Sequence, residues 1–450
     1  MTRTLAALFV PALAGAIALA SCTSTTPDEP TLTGDALLDP NNCLPCHADQ
    51  FREWSGSMHA YAGEDPVFIA MNKRMQRETN GQAGSFCVSC HAPLAVRAGK
   101  TVDGLNLGEL PSFMRGVTCA FCHAASAVEG THNNPLRLAT DGVVRGGIAD
   151  PAKSPHRSAY SELHDREVLP SSSMCGACHD VVTPAGAHIE RTFSEWNASL
   201  YAKPGQLSCG KCHMEGREGV AARVEGAPRR RVHDHTMAAV DVALTPFTDE
   251  DGQRAAVQRL LDATLLAKLC VKQTPAAGLV AEVTLDNAFA GHSFPSGAAQ
   301  DRRAWVELIA YRGDAVVFSS GVVEEKKAVA ALPDPNLWLL RDKVFDAAGK
   351  EVHMFWRAAR YESELLPPAV TADPTDPAFY HAVTRTYSLP QPVPDRVTMR
   401  VRMRPVDFDL LDDLVATGDL DPKILDRIPT FELGGTVKEW TNDRGFRCTD

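Results

Sequence analysis

CLPCH occupies residues 43–47, and the pattern returns as CVSCH (87–91), CAFCH (119–123), CGACH (175–179) and CGKCH (209–213). With 13 Cys and 15 His in 450 residues, a C-x-x-C-H should arise by chance only ~0.01 times. Two cysteines three apart present both sulfurs to the vinyl groups on one edge of a heme, and the adjoining histidine reaches the iron from one face. The motif residues are thus Cys43, Cys46 and His47; Cys87, Cys90 and His91; Cys119, Cys122 and His123; Cys175, Cys178 and His179; Cys209, Cys212 and His213. Structural zinc also uses C-x-x-C pairs. Here every pair carries its own histidine, and the chain begins with an export signal, which favours five covalent c-type hemes.

That signal is MTRTLAALFVPALAGAIALASC. Arg3 precedes an apolar run too short for a membrane span, ending in small residues. Leu19-Ala20-Ser21-Cys22 resembles the bacterial lipoprotein box, in which the Cys is diacylated. The Ser/Thr/Pro-rich segment after it reads as a tether. Export also permits Cys270 and Cys448, the two remaining cysteines, to form a disulfide, with two buried thiols as the alternative. Hydrophobic residues are 44%, charged residues 22% and the net charge −11, which excludes a disordered chain and argues against nucleic acid as a partner.

Only 171 residues, 43–213, carry the motifs. The segments between them are too short to build a separate core around each heme. The hemes themselves are therefore expected to form the core, close enough for electron hopping. A second axial ligand is needed for six-coordination, and His59, His132, His156, His164, His188, His233 and His235 are available. An internal repeat narrows the choice. Glu53-Trp54-x-x-Ser57-x-His59-Ala60 is matched by Glu195-Trp196-x-x-Ser199-x-Tyr201-Ala202. Tyr201 stands where His59 stands, so nearby His188 is a candidate for the missing ligand.

The first motif with Trp54, Ser57, His59 and Ala60, the run Cys90-His91-Ala92-Pro93, the stretch Glu195 to Met214, and Arg231-Val-His233-Asp-His235 together resemble the cytochrome c554 family of multiheme cytochromes. The resemblance covers residues 40–240. It implies distal ligation by His59 and by a histidine after the last motif, His235 or His233; His156 is a further candidate.

Residues 248–269 have helical apolar spacing, with Thr248 and Asp251 as cap candidates. Beyond Pro275 the period becomes two: 279–285, 304–310, 315–318 and 397–403 read as strands, and 343–353 as a hairpin. The expected fold is α+β: leader 1–21, tether 22–40, a helix-and-loop pentaheme domain 41–240, a connector helix within 241–274, and an immunoglobulin-like β-sandwich 275–450. The loop Gly291-His292-Ser293-Phe294-Pro295-Ser296-Gly297 resembles a segment of sandwich domains attached to multiheme cytochromes. His292 either faces a heme or stabilises its own loop.

These readings imply an exported electron carrier, held on a membrane by a lipid at Cys22, in the periplasm, on the outer membrane or at the cell surface. Its partners would be a protein electron donor and a protein acceptor. Two alternatives remain open. One is a reductase of a small nitrogen or sulfur oxyanion at a five-coordinate heme, although no motif departs from histidine. The other is a surface binding protein with hemes wired to its sandwich.

Overall fold

The computed structural model describes residues 32–152, 155–204 and 206–449. The expected leader and Cys22 lie outside them. The described end of the expected tether is not free chain. Gly34–Leu37 and Pro40–Asn42 form 3-10 turns, and the Leu32 amide donates to the Pro155 carbonyl at 3.1 Å.

From there to residue 240 the chain runs in short helices, turns and two-stranded ribbons. The longest helix, Pro66–Glu78, starts where sequence places a start: Pro66 opens it, and the Asp65 carboxylate accepts from the Val67 and Phe68 amides. Ribbons join Ala125–Val128 to Leu136–Leu138, Val143–Gly146 to Arg157–Tyr160, Asp180–Val182 to His188–Arg191, and Gly216–Val220 to Arg229–His233. Such ribbons are too small to stand alone. Their local apolar clusters are small too, for example Leu94, Phe121, Ala125, Leu136, Met174 and Ala177.

The connector helix is Glu250–Asp262, capped by Asp249 rather than Thr248. It ends earlier than expected, because Leu266–Thr274 is a strand. Leu261, Leu265 and Leu269 satisfy a helical spacing, yet Ala267, Leu269 and Val271 also alternate. Pairing decides the matter: this strand runs antiparallel to Gly278–Asp286 over nine residues and also pairs with Cys448–Thr449. The sheet-rich part therefore begins at 266 and not at 275.

Two antiparallel sheets follow. One has the order Val383–Ser388, Gly278–Asp286, Leu266–Thr274, Cys448–Thr449. The other has Ala315–Ser320, Arg303–Arg312, Arg396–Arg404 and Phe431–Glu432 in a row, with Trp338–Leu340 also on Arg303–Arg312 and Lys438–Thr441 also on Arg396–Arg404. Leu269, Val271, Ala281 and Val283 from the first sheet share one buried core with Val306, Leu308, Val397 and Val401 from the second. This is face-to-face packing of alternating strands. Cys270 and Cys448 are disulfide-bonded, tying the last strand to the first. The expected hairpin at 343–353 turns tightly at Asp346–Lys350, but Asp342–Phe345 takes Arg360–Ser363 as its strand partner.

The halves are joined along the helix Pro66–Glu78. Its Ala70 and Met71 pack with Leu410, Leu411 and Leu414 of the helix Phe408–Ala416, while Arg74 pairs with Asp413 at 2.9 Å and Arg77 with Asp419 at 2.5 Å. Among the described residues no helix is long and apolar enough to cross a membrane.

Candidate functional site

The second, third and fifth motifs form short helices, the first is a turn leading into Ala48–Ser55, and the fourth begins at the end of Ser172–Gly176. All ten motif cysteines and all five motif histidines line one continuous cavity of about 2200 Å³. Motifs far apart in sequence meet there: the Cys43 thiol lies against Cys119, Cys90 against Cys178, and Cys175 against Cys209. Nine of the ten motif cysteines are free thiols; Cys46 is disulfide-bonded in this structure, a bond that must be absent for a thioether to form there.

Four of the five motif histidines are set by a common device. The Nδ1–H groups of His47, His91 and His213 donate to the carbonyls of Ala221, Ala62 and Ala238 at 2.8, 3.0 and 2.8 Å, and that of His123 to Arg145. A carbonyl only accepts, so Nδ1 carries the proton and Nε2 keeps its lone pair for a metal.

Other histidines stand opposite. A metal–imidazole bond of about 2.0–2.1 Å on each side, plus roughly 1.1 Å from nitrogen to ring centre, separates two axial ring centres by about 6.3 Å. The centroids of His47 and His156 are 6.2 Å apart, those of His179 and His59 6.2 Å, and those of His213 and His292 6.5 Å. His235 shares the cavity with His123 and lies within its electrostatic range; its Nδ1–H donates to the His233 carbonyl at 2.9 Å. His292 likewise donates Nδ1–H to its own loop, to the Ser293 carbonyl 2.9 Å away. Burial drives His59, His235 and His292 down to about 4. They are neutral at ordinary pH, the form that binds a metal. The residues present fit heme: paired thiols, free Nε2 atoms and an iron-sized gap between rings.

Two cavity histidines are otherwise engaged. His164 Nε2 donates to the Cys122 carbonyl at 2.8 Å while its Nδ1 meets Ser161 Oγ. His233 gives Nδ1–H to the Met214 carbonyl and places Nε2 3.1 Å from Glu167. His188 does not line the cavity. On the strand His188–Arg191 it is Ile189 that turns inward, leaving His188 exposed and 6.4 Å, ring to ring, from His132. The Tyr201 hydroxyl instead donates to the Ala288 carbonyl, just before the loop that carries His292.

His91 differs from the other four. Phe68 stacks on its ring at 4.1 Å, and among the described residues no further cavity-lining histidine has a free Nε2.

Residues 42–124 match the family model described as cytochrome c554 and c-prime. The fold is similar to the crystal structure of a penta-heme cytochrome c552 from Thermochromatium tepidum, with 19% identity, a TM-score of 0.60, and coverage of 92% of this chain and 100% of that one. No curated protein matches the chain. The N-terminal part is thus similar to a multiheme c-type cytochrome family, and the fold is the α+β fold of the structural match. The likeness to the c554 cytochromes runs over the first three motifs, and the structural match also spans the sheet-rich C-terminal part.

Proposed function

We propose that the chain is an exported pentaheme electron carrier, anchored by a lipid at Cys22 to the outer membrane or cell surface, that passes electrons from a donor protein to an acceptor protein. The observation that carries this reading is the opposition of His156, His59 and His292 to three motif histidines at iron-spanning distance. Heme held there supplies a ferric/ferrous couple. The chain's residues do the rest. Two imidazoles on an iron leave no position for substrate, which suits transfer rather than chemistry. Nδ1–H bonds to carbonyls fix the rings of His47, His91, His123 and His213 and raise their basicity. Burial removes water from the path, which lowers the reorganisation that each electron step demands.

The thiol contacts support a spatial order of motifs one, three, four and five, with the second beside the fourth; Cys122 of the third is within electrostatic reach of Cys175 and Cys178 of the fourth. The strand order of the two sheets supports an immunoglobulin-like sandwich as the platform that brings His292 to the fifth site.

A second reading rests on His91. A site without a second imidazole leaves an iron open to a small ligand, and supports reduction of a small oxyanion there, fed by the other four. The test for both is the intact mass and the magnetic spectrum of the oxidised mature protein. Five added hemes, all low spin, fit the carrier alone. Five hemes with one high-spin iron fit the second reading, and fewer than five refute the count.

A further inference from the structure

The two copies of the Glu-Trp repeat sit in unrelated surroundings, yet each makes the same pair of contacts. Trp54 Nε1–H donates to the Val117 carbonyl at 2.8 Å and Trp196 Nε1–H to the Leu207 carbonyl at 3.1 Å. Each acceptor lies two residues before a motif cysteine, Cys119 in one case and Cys209 in the other. Each preceding glutamate reaches a different loop. Glu53 Oε2 accepts from the His235 amide at 3.1 Å, and its Oε1 from Arg217 at 2.6 Å. Glu195 Oε2 accepts from the Ser293 amide at 3.2 Å and from Ser296 Oγ at 2.7 Å.

These loops carry histidines that lie close to the same motifs. His292 faces His213, whose motif Trp196 fixes, with 6.5 Å between ring centroids, and His235 lines the cavity within electrostatic range of His123, whose motif Trp54 fixes. We propose that each Glu-Trp pair is a clamp for one heme site: the tryptophan holds the backbone entering the motif, and the neighbouring glutamate holds the loop bearing the opposing histidine. Glu53 and Glu195 are thus positioning residues for His235 and His292. The proposal rests on the reading of those two histidines as distal ligands.

Sequence adjacency explains why such a device works. Residues next to each other on a helix point in directions about 100° apart, so one rigid turn can grip two elements that must stay one iron's width from each other. In the second copy the grip is reinforced. Thr192, one turn before Trp196 on the same helix, meets Ser296 Oγ at 2.9 Å and accepts from the Gly297 amide at 3.0 Å. Arg191 steadies Glu195 at 3.4 Å while pairing with buried Asp342 at 2.7 Å. Because Ser293 and Ser296 belong to the C-terminal half, this clamp also sets how that half meets the heme-bearing part.

The experiment uses the full-length holoprotein, reduced and mixed with carbon monoxide, which binds a six-coordinate iron only after a histidine leaves. Spin state is read in parallel on the oxidised protein. His292→Ala is expected to turn one iron high spin. Glu195→Ala is expected to speed carbon monoxide binding at that iron roughly tenfold over the wild-type rate, since it removes hydrogen bonds to a charged group. Glu195→Gln keeps an acceptor oxygen and is expected to stay within about twofold of wild type. The double variant His292→Ala/Glu195→Ala is expected to show no more high-spin iron than His292→Ala alone. Glu53→Ala gives the independent arm at His235, and Ser296→Ala a milder version of Glu195→Ala should that protein not mature. An unchanged spectrum in His292→Ala would remove the ligand reading and the clamp with it. If His292→Ala converts an iron but Glu195→Ala and Ser296→Ala bind carbon monoxide at the wild-type rate, or the double variant gains a second high-spin iron, the ligand stands and the clamp is wrong.

Discussion

Replacing Cys448 with Ser tests how the sheet-rich half is held together. The Cys270–Cys448 bond closes a loop of sequence separation 178. All five motifs end by His213, so no thioether falls inside that loop to shorten it. The chain-entropy relation then gives about 5 kcal/mol at 25 °C, and native strain with residual unfolded-state structure brings a realistic figure to about 3–5 kcal/mol. At 2–4 °C per kcal/mol for a unit of this size, the unfolding midpoint should fall by on the order of 10 °C. Scanning calorimetry of oxidised wild type and Cys448→Ser measures it. The heme spectrum should stay the same, because neither cysteine lines the cavity. Equal midpoints, or two thiols in the wild type that alkylate without a reductant, would refute the reasoning.

Other outcomes follow from the contacts. His164→Ala and His233→Ala should leave the oxidised spectrum unchanged, whereas His59→Ala and His156→Ala should each turn one iron high spin. Trp54→Phe and Trp196→Phe should each cost about 1–3 kcal/mol in urea unfolding, by leaving the Val117 or Leu207 carbonyl without its donor. Burial raises Asp301 to about 7 from an ordinary 3.8. A raised folded value means its contribution is full below the unfolded value and lost as pH climbs toward 7. Asp301→Asn should therefore gain on wild type between pH 5 and pH 8 by about 2–3 kcal/mol in unfolding free energy.

Much of the site was legible because covalent chemistry is written locally. The spacing of C-x-x-C-H is itself the geometry of attachment, and all five motifs border one cavity. Distal positions were less so, because an opposing histidine is a tertiary fact. His164 and His235 look alike in sequence, and only the engagement of both His164 nitrogens separates them. His188 was drawn in by proximity in sequence, while strand alternation turns it out. The helix read through residue 269 shows the same limit, since a leucine spacing that serves helix and strand alike is resolved only by nine paired residues on Gly278–Asp286. The Glu-Trp repeat was visible as a pattern, but its contacts were not. Its partners at Val117, Leu207, His235 and Ser293 lie anywhere from about ten to about 180 residues away.

The pairing of His213 with His292 has a consequence for how the protein is made. Chain synthesis proceeds from the N-terminus, and about 80 residues separate the two. The fifth motif is therefore complete, and open to heme attachment, well before its opposing imidazole has been synthesised and long before the strands that frame it have closed. With His292 as the distal ligand proposed above, covalent attachment at the fifth motif could precede final coordination. The colour of that site would then report whether the loop bearing His292 has reached it.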